Sequence, residues 1–127
     1  MPTFRDLLAE AKTHIREVDT AEAERLVTKR PGTVVLDVRE ADEYEQGALP
    51  GAVHIPRGFL ESQVENKVPD RGVPVVVYCA GGTRSAFAAR TLGELGYTDV
   101  VSVGGGFNKW KNEGRDWSTP RTLSPDQ

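Results

Sequence analysis

Only one cysteine stands among the 127 residues, at Cys79. A lone thiol forms no internal disulfide, and it leaves no cysteine–histidine set with the spacing of a zinc site. It suits a reducing compartment. Long apolar runs are missing too: none approaches the roughly 20 residues that span a bilayer. The segment from Met1 to Lys12 carries Asp6 and Glu10 where a secretory signal would have its apolar centre. The expectation is therefore a cytoplasmic protein with no membrane partner. Charge of one sign is also scarce. Sixteen basic residues face nineteen acidic ones, the formal net charge is −3, and like charges never form a long run. No basic surface for nucleic acid follows from that balance.

What is present is an alternation of helical and extended patterns over a length suited to one domain, residues 1–127. Residues 3–11 predict an extra N-terminal helix with Phe4, Leu7, Leu8 and Ala11 on one side. Residues 15–18 read as extended, and Thr20 as the N-cap of a helix over 21–27. After the Pro31-Gly32 turn signal, 33–36 is a strand. Residues 40–46 form a short acidic helix, 52–55 a short strand stopped by Pro56, and 58–67 a further helix. Val75-Val76-Val77-Tyr78 is the strongest strand signal: a continuous apolar run, as a strand covered on both faces requires. Residues 79–83 read as a loop, 85–95 as a helix with Gly96 at its C′ position, and 99–103 as a strand. Gly104-Gly105-Gly106 is a loop before a last helix over 107–111, anchored by Trp110. The polar stretch from about 118 to 127, with Pro120 and Pro125, is expected to fray at its end. The whole pattern predicts an α/β fold: a mainly parallel central sheet flanked by helices on both faces.

Ligands of open α/β sheets collect beyond the carboxyl ends of strands. Strand 75–78 runs straight into Cys79-Ala80-Gly81-Gly82-Thr83-Arg84-Ser85. Gly81 and Gly82 let the backbone take positive φ and turn successive N–H groups inward, the geometry of an anion nest. The following helix adds its unpaired first-turn amides and the positive end of its dipole. The dipole contributes about 0.3–1 kcal/mol. That is less than the ~1.4 kcal/mol behind a tenfold shift in ionisation, so the loop amides are expected to matter more to a sulfur anion. A cysteine at a strand end is by itself commonly buried filler. The Gly-Gly loop and adjacent arginine at a strand-to-helix junction are what make Cys79 a candidate nucleophile. A phosphate cradle is the other use of such a loop, but residues 81–84 lack the Lys-Ser/Thr ending of a P-loop.

These residues carry a family resemblance. The run from Cys79 to Ser85 resembles the active-site loop of single-domain rhodanese sulfurtransferases. Leu36-Asp37-Val38-Arg39-Glu40, with Glu43-Tyr44, Gly47 and Pro50-Gly51-Ala52-Val53-His54-Ile55-Pro56, resembles that family's earlier signature. Gly96-Tyr97, Val103-Gly104-Gly105-Gly106 and Trp110 resemble its C-terminal one, so the match spans residues 15–117. The resemblance implies a rhodanese-like fold and a two-step transfer. The Cys79 thiolate takes the outer sulfur of thiosulfate or a related donor, and the persulfide then yields it to cyanide or a cellular thiol. It implies Ala80, Gly81, Gly82, Thr83, Arg84 and Ser85 as substrate-binding residues, with backbone amides of the loop holding the persulfide. It implies no metal and no organic cofactor. With no second cysteine in the chain, the acceptor is another molecule, either a small one or a sulfur-relay protein. A persulfide-carrier module working with a partner protein is the alternative reading. Phosphatases that resemble this fold place one residue more between cysteine and arginine than the four found here, which favours sulfur over phosphate.

Asp37 and Arg39 fall just past strand 33–36, on the same edge as Cys79. As supporting residues they are read first as a buried ion pair, and second as an anion-steering Arg39. Arg84 is expected to bind the donor's sulfonate. His54, the one histidine inside the matching region, is weighed as a base and set aside, since the family pattern makes it structural. Glu40, Asp42, Glu43 and Glu45 are read as the first turn and solvated face of a helix.

Overall fold

The computed structural model describes residues 1–120; the expected frayed end over 121–127 lies outside the described residues. In chain order the elements are α1 (Phe4–Lys12), β1 (Arg16–Val18), α2 (Thr20–Lys29), β2 (Val34–Asp37), α3 (Ala41–Gln46) and β3 (Val53–His54). A 3-10 turn at Arg57–Phe59 then leads into α4 (Leu60–Lys67), β4 (Val75–Tyr78), α5 (Thr83–Glu94), β5 (Val100–Val103) and α6 (Gly106–Asn112). The strands form one sheet in the order β1-β5-β4-β2-β3, and all four pairings are parallel.

The apolar run of β4 is buried at every residue, because this strand lies at the centre of the sheet. Successive side chains point to opposite faces. Val75 and Val77 join Leu36, Leu60, Val64, Ala88 and Leu92 on the face covered by α4 and α5. Val76 and Tyr78 join Ala23, Leu26, Phe107 and Trp110 on the face covered by α2 and α6. Helix α1 lies outside this sandwich, with its Phe4 ring 6.3 Å from Phe87 of α5.

Most boundaries lie a residue or two from expectation, and two of the shifts have local reasons. Helix α2 starts at Thr20, capped by Asp19, whose carboxylate accepts the Glu22 amide at 2.8 Å. Both residue types can cap, but the Thr20 hydroxyl is committed elsewhere, donating to Glu113 at 2.5 Å. The predicted helix over 58–67 is a 3-10 turn followed by α4. Helix α5 begins at Thr83, inside the expected loop, because Gly82 turns with φ +107° and delivers the chain directly into the helix. The first tail residue, Ser118, is held in an antiparallel bridge with Ala48.

Strand β2 leads to β3 on one side of the sheet, and β4 leads to β5 on the other. The carboxyl ends of neighbouring β2 and β4 therefore flank the crevice where the two connections diverge, the place where open sheets bind ligands. Among the described residues, no helix is long and apolar enough to cross a membrane.

Candidate active site

Cys79 is the residue that follows β4, and its side chain is only 1% exposed. Two backbone amides point at its sulfur: that of Gly82 at 3.1 Å and that of Ser85 at 3.3 Å. The second belongs to the first turn of α5, where amides have no partner inside the helix. The peptide carbonyls of the loop face the other way. Those of Cys79 and Ala80 accept the amides of Phe107 and Asn108, at 2.8 and 3.0 Å, from the start of α6. This seam is why residue 106 is glycine. A Cβ there would stand 2.5 Å from the Cys79 carbonyl oxygen and 2.6 Å from that of Ala80, and φ is +58°. With carbonyls turned out and amides turned in, the loop presents a positive lining to Sγ.

Ser85 Oγ lies 3.5 Å from Cys79 Sγ and 2.9 Å from the Ser102 hydroxyl on β5. Both serines are completely buried. Of the other loop residues, Ala80 and Thr83 are half-buried and Gly81 is exposed.

Asp37 and Arg39 form a buried ion pair, with Arg39 Nη2 2.7 Å from Asp37 Oδ2. Arg39 also donates to the Gly47 carbonyl at 2.6 Å and lies over the Phe107 ring, 4.5 Å from its centroid. Burial opposes its charge, but the hydrogen bond and charge of Asp37 prevail and raise the guanidinium above its ordinary value. The Tyr78 hydroxyl donates to Asp37 at 2.5 Å and accepts the Leu49 amide at 3.1 Å. Burial, with the Asp37 charge beside it, pushes this phenol far above its ordinary range. This network sits under the loop as a fixed support.

Arg84, expected to meet a donor's sulfonate, turns instead to α3. Its two terminal nitrogens contact the two carboxylate oxygens of Glu43 at 2.7 and 3.0 Å. The Arg84 hydrogen bond holds the Glu43 carboxyl down at about 2, against an opposing cost of burial. Glu43 is thus a clasp between α3 and the Cys79 loop, not only part of a solvated face. His54 has other partners than Cys79: its Nε2 is 2.8 Å from the Arg39 carbonyl, and its ring stacks on Tyr44 at 4.3 Å.

A cleft of about 230 Å³ opens beside the loop, lined by Glu43, Gln46, Ala80, Phe107, Asn108 and Lys111 among others. Lys111 is an exposed cation at this mouth, with Nζ 4.6 Å from the Trp117 ring centroid. Sequence reasoning placed Lys111 only as the end of a helix. It shares a helix face with Phe107, four residues earlier, and both line the cleft. Among the described residues, no group of three or more His, Cys, Asp or Glu side chains is arranged to hold a metal ion.

Residues 19–113 match the family described as Rhodanese-like domain. A Coxiella burnetii relative named thiosulfate sulfurtransferase GlpE is 38% identical over 96 residues, covering 76% of this chain and 87% of the relative. A Bacillus subtilis relative, whose name gives it provisionally as a sulfur carrier protein, YrkF, is 33% identical over 102 residues, covering 80% of this chain and 54% of the relative. Among solved structures, a Rhodopseudomonas palustris protein of unknown function, titled a possible tyrosine phosphatase, aligns with a TM-score of 0.83 at 32% identity, over 93% of this chain and 96% of that one.

Proposed function

The chain belongs to the rhodanese-like domain family, and on that premise we propose that Cys79 carries a sulfane sulfur from an anionic donor to a thiophilic acceptor. The observation that carries this reading is the pair of amides, from Gly82 and Ser85, aimed at Sγ. Amide donors fixed in place stabilise charge on sulfur without rearranging during the reaction. In the first step the Cys79 thiolate attacks the outer sulfur of thiosulfate. The new S–S bond forms as the old one breaks, and sulfite leaves with the bonding pair. In the second, cyanide or an external thiolate attacks the outer persulfide sulfur. Thiocyanate or an acceptor persulfide departs, and the Cys79 thiolate returns. This is covalent catalysis of the ping-pong kind. A reducing compartment such as the cytoplasm keeps the thiol available.

The residues divide the work accordingly. Cys79 is the nucleophile. The backbone from Ala80 to Ser85 receives the persulfide, and Lys111 draws an anionic donor to the mouth. Arg84 is engaged by Glu43 and acts as a strut. The span of four residues between Cys79 and Arg84 is short for a phosphatase loop, which weighs against the phosphatase reading that the Rhodopseudomonas palustris neighbour raises.

The test is a pair of measurements on the purified protein. Incubation with thiosulfate should add the mass of one sulfur atom, and cyanide should then release it as thiocyanate. The Cys79→Ala variant should do neither, and equal turnover by that variant would overturn the mechanism. The name of the Bacillus relative supports the second reading, a persulfide carrier. Mass gain from a persulfidated protein, with none from thiosulfate, would select it.

A further inference from the structure

We propose that Ser102 is a positioning residue that orients the Ser85 hydroxyl toward Cys79 and so favours the ionised sulfur. This rests on the reading of Cys79 as the sulfur carrier. Ser102 stands on β5, completely buried, between Val101 and Val103 in a strand whose other three residues are valine. Its hydroxyl has one side-chain partner among the described residues, Ser85 Oγ at 2.9 Å. Ser85 Oγ in turn has two, Ser102 Oγ and Cys79 Sγ at 3.5 Å. The three groups form a closed file from the centre of the sheet to the sulfur.

Counting protons shows which state the file suits. It has two contacts, one between the oxygens and one between oxygen and sulfur. With Cys79 neutral, three protons compete for them, on Sγ, Ser85 and Ser102. Any assignment leaves one buried proton without an acceptor, which is costly. When the thiol proton leaves to solvent, two protons remain for two contacts. Ser102 donates to Ser85, and Ser85 donates to the sulfur anion. Every donor is then used, and bonds that point one way along a chain reinforce one another.

Ser102 never reaches the sulfur, so its effect passes through Ser85. Without it, the Ser85 hydroxyl is free to sample its three staggered orientations, only one of which faces Sγ. The expected loss is about threefold in the thiolate-to-thiol ratio, which moves the ionisation curve up by about half a pH unit.

The matched pair Ser102→Thr and Ser102→Val tests this, because the two side chains share a shape and differ in the hydroxyl. The readout is a pH titration of thiolate ultraviolet absorbance, taken against Cys79→Ala; one cysteine in the chain makes the signal specific. The Thr variant should titrate as wild type. The Val variant should shift up by about half a unit, with cyanide-dependent turnover down about threefold on the acid side of the observed midpoint. In a Ser85→Ala background the Thr and Val variants should titrate together. Identical curves for Thr and Val with Ser85 intact would overturn the proposal, as would a Val shift that persists without Ser85. The titration needs no sulfur donor. A Val shift in a protein that forms no persulfide would show the coupling through Ser85 intact and place the failure in the proposed function alone.

Discussion

Arg39 and Asp37 show how one buried charge depends on its neighbour. Each is nearly or fully buried, and the pair is completed by Tyr78 and the Gly47 carbonyl. Asp37→Ala strips the counter-charge and leaves Arg39 buried alone, so it should cost about 3–5 kcal/mol in a denaturant unfolding experiment. Lys111 is the opposite case, an exposed charge beside the cleft whose proposed effect is on encounter. Lys111→Ala should raise KM for thiosulfate up to about fivefold, with little change in kcat, and the difference should shrink as salt is added. Cys79 could be singled out in the sequence as a candidate because its surroundings are contiguous: strand, glycines and arginine follow one another. The ion pair of Asp37 and Arg39 was legible for the same reason. Glu43 and Ser102 were not, since each meets the loop across a long stretch of chain, and nothing in one sequence marks a partner at that distance.

At the level of elements, the Cys79 loop is held from two sides. Helix α6 is sewn to it through the carbonyls of Cys79 and Ala80, and α3 is clasped to it through Glu43 and Arg84. Gly106→Ala pushes a methyl into the first seam. It should lower the melting temperature and most of the sulfur-transfer activity together. Gly93→Ala is the control: this helix residue of α5 has open space where its Cβ would go, and the change should stabilise by about 0.4–1 kcal/mol. The clasp has its own pH signature. Glu43 is held at about 2, below its ordinary 4.5, so its contribution is complete above the ordinary value and fades as pH falls through about 2. The melting temperature of Glu43→Gln should therefore lie below wild type near neutrality and converge with it at the acid end of that window. Element boundaries were harder to read than element types. The start of α5 was misplaced because Gly82 admits the chain to the helix by its backbone angle, with no capping side chain to announce it.

Across the whole molecule, the parallel sheet was readable from buried-strand composition, because strands covered on both faces lose the polar alternation. Strand order was not, since hydrophobicity records that a strand is covered and not which strand lies beside it. Leu36 is completely buried within the covered sheet. Leu36→Ala should cost about 2–5 kcal/mol. Against a typical total of about 5–15 kcal/mol, that is enough for circular dichroism and fluorescence to report one early, cooperative unfolding transition.

The pairing of β1 with β5 has a consequence for synthesis. Arg16 lies against Val101, and Glu17 against Ser102. Made from its amino end, the chain completes β1 long before the strand it borders exists. At translation speeds of about 5–20 residues per second, that wait lasts roughly 4–17 s. The same delay governs chemistry. Ser102, and the Phe107 and Asn108 amides that turn the loop carbonyls outward, all emerge after Cys79. On the ribosome the sulfur lacks these neighbours, and its surroundings are assembled only when the last strand and helix arrive.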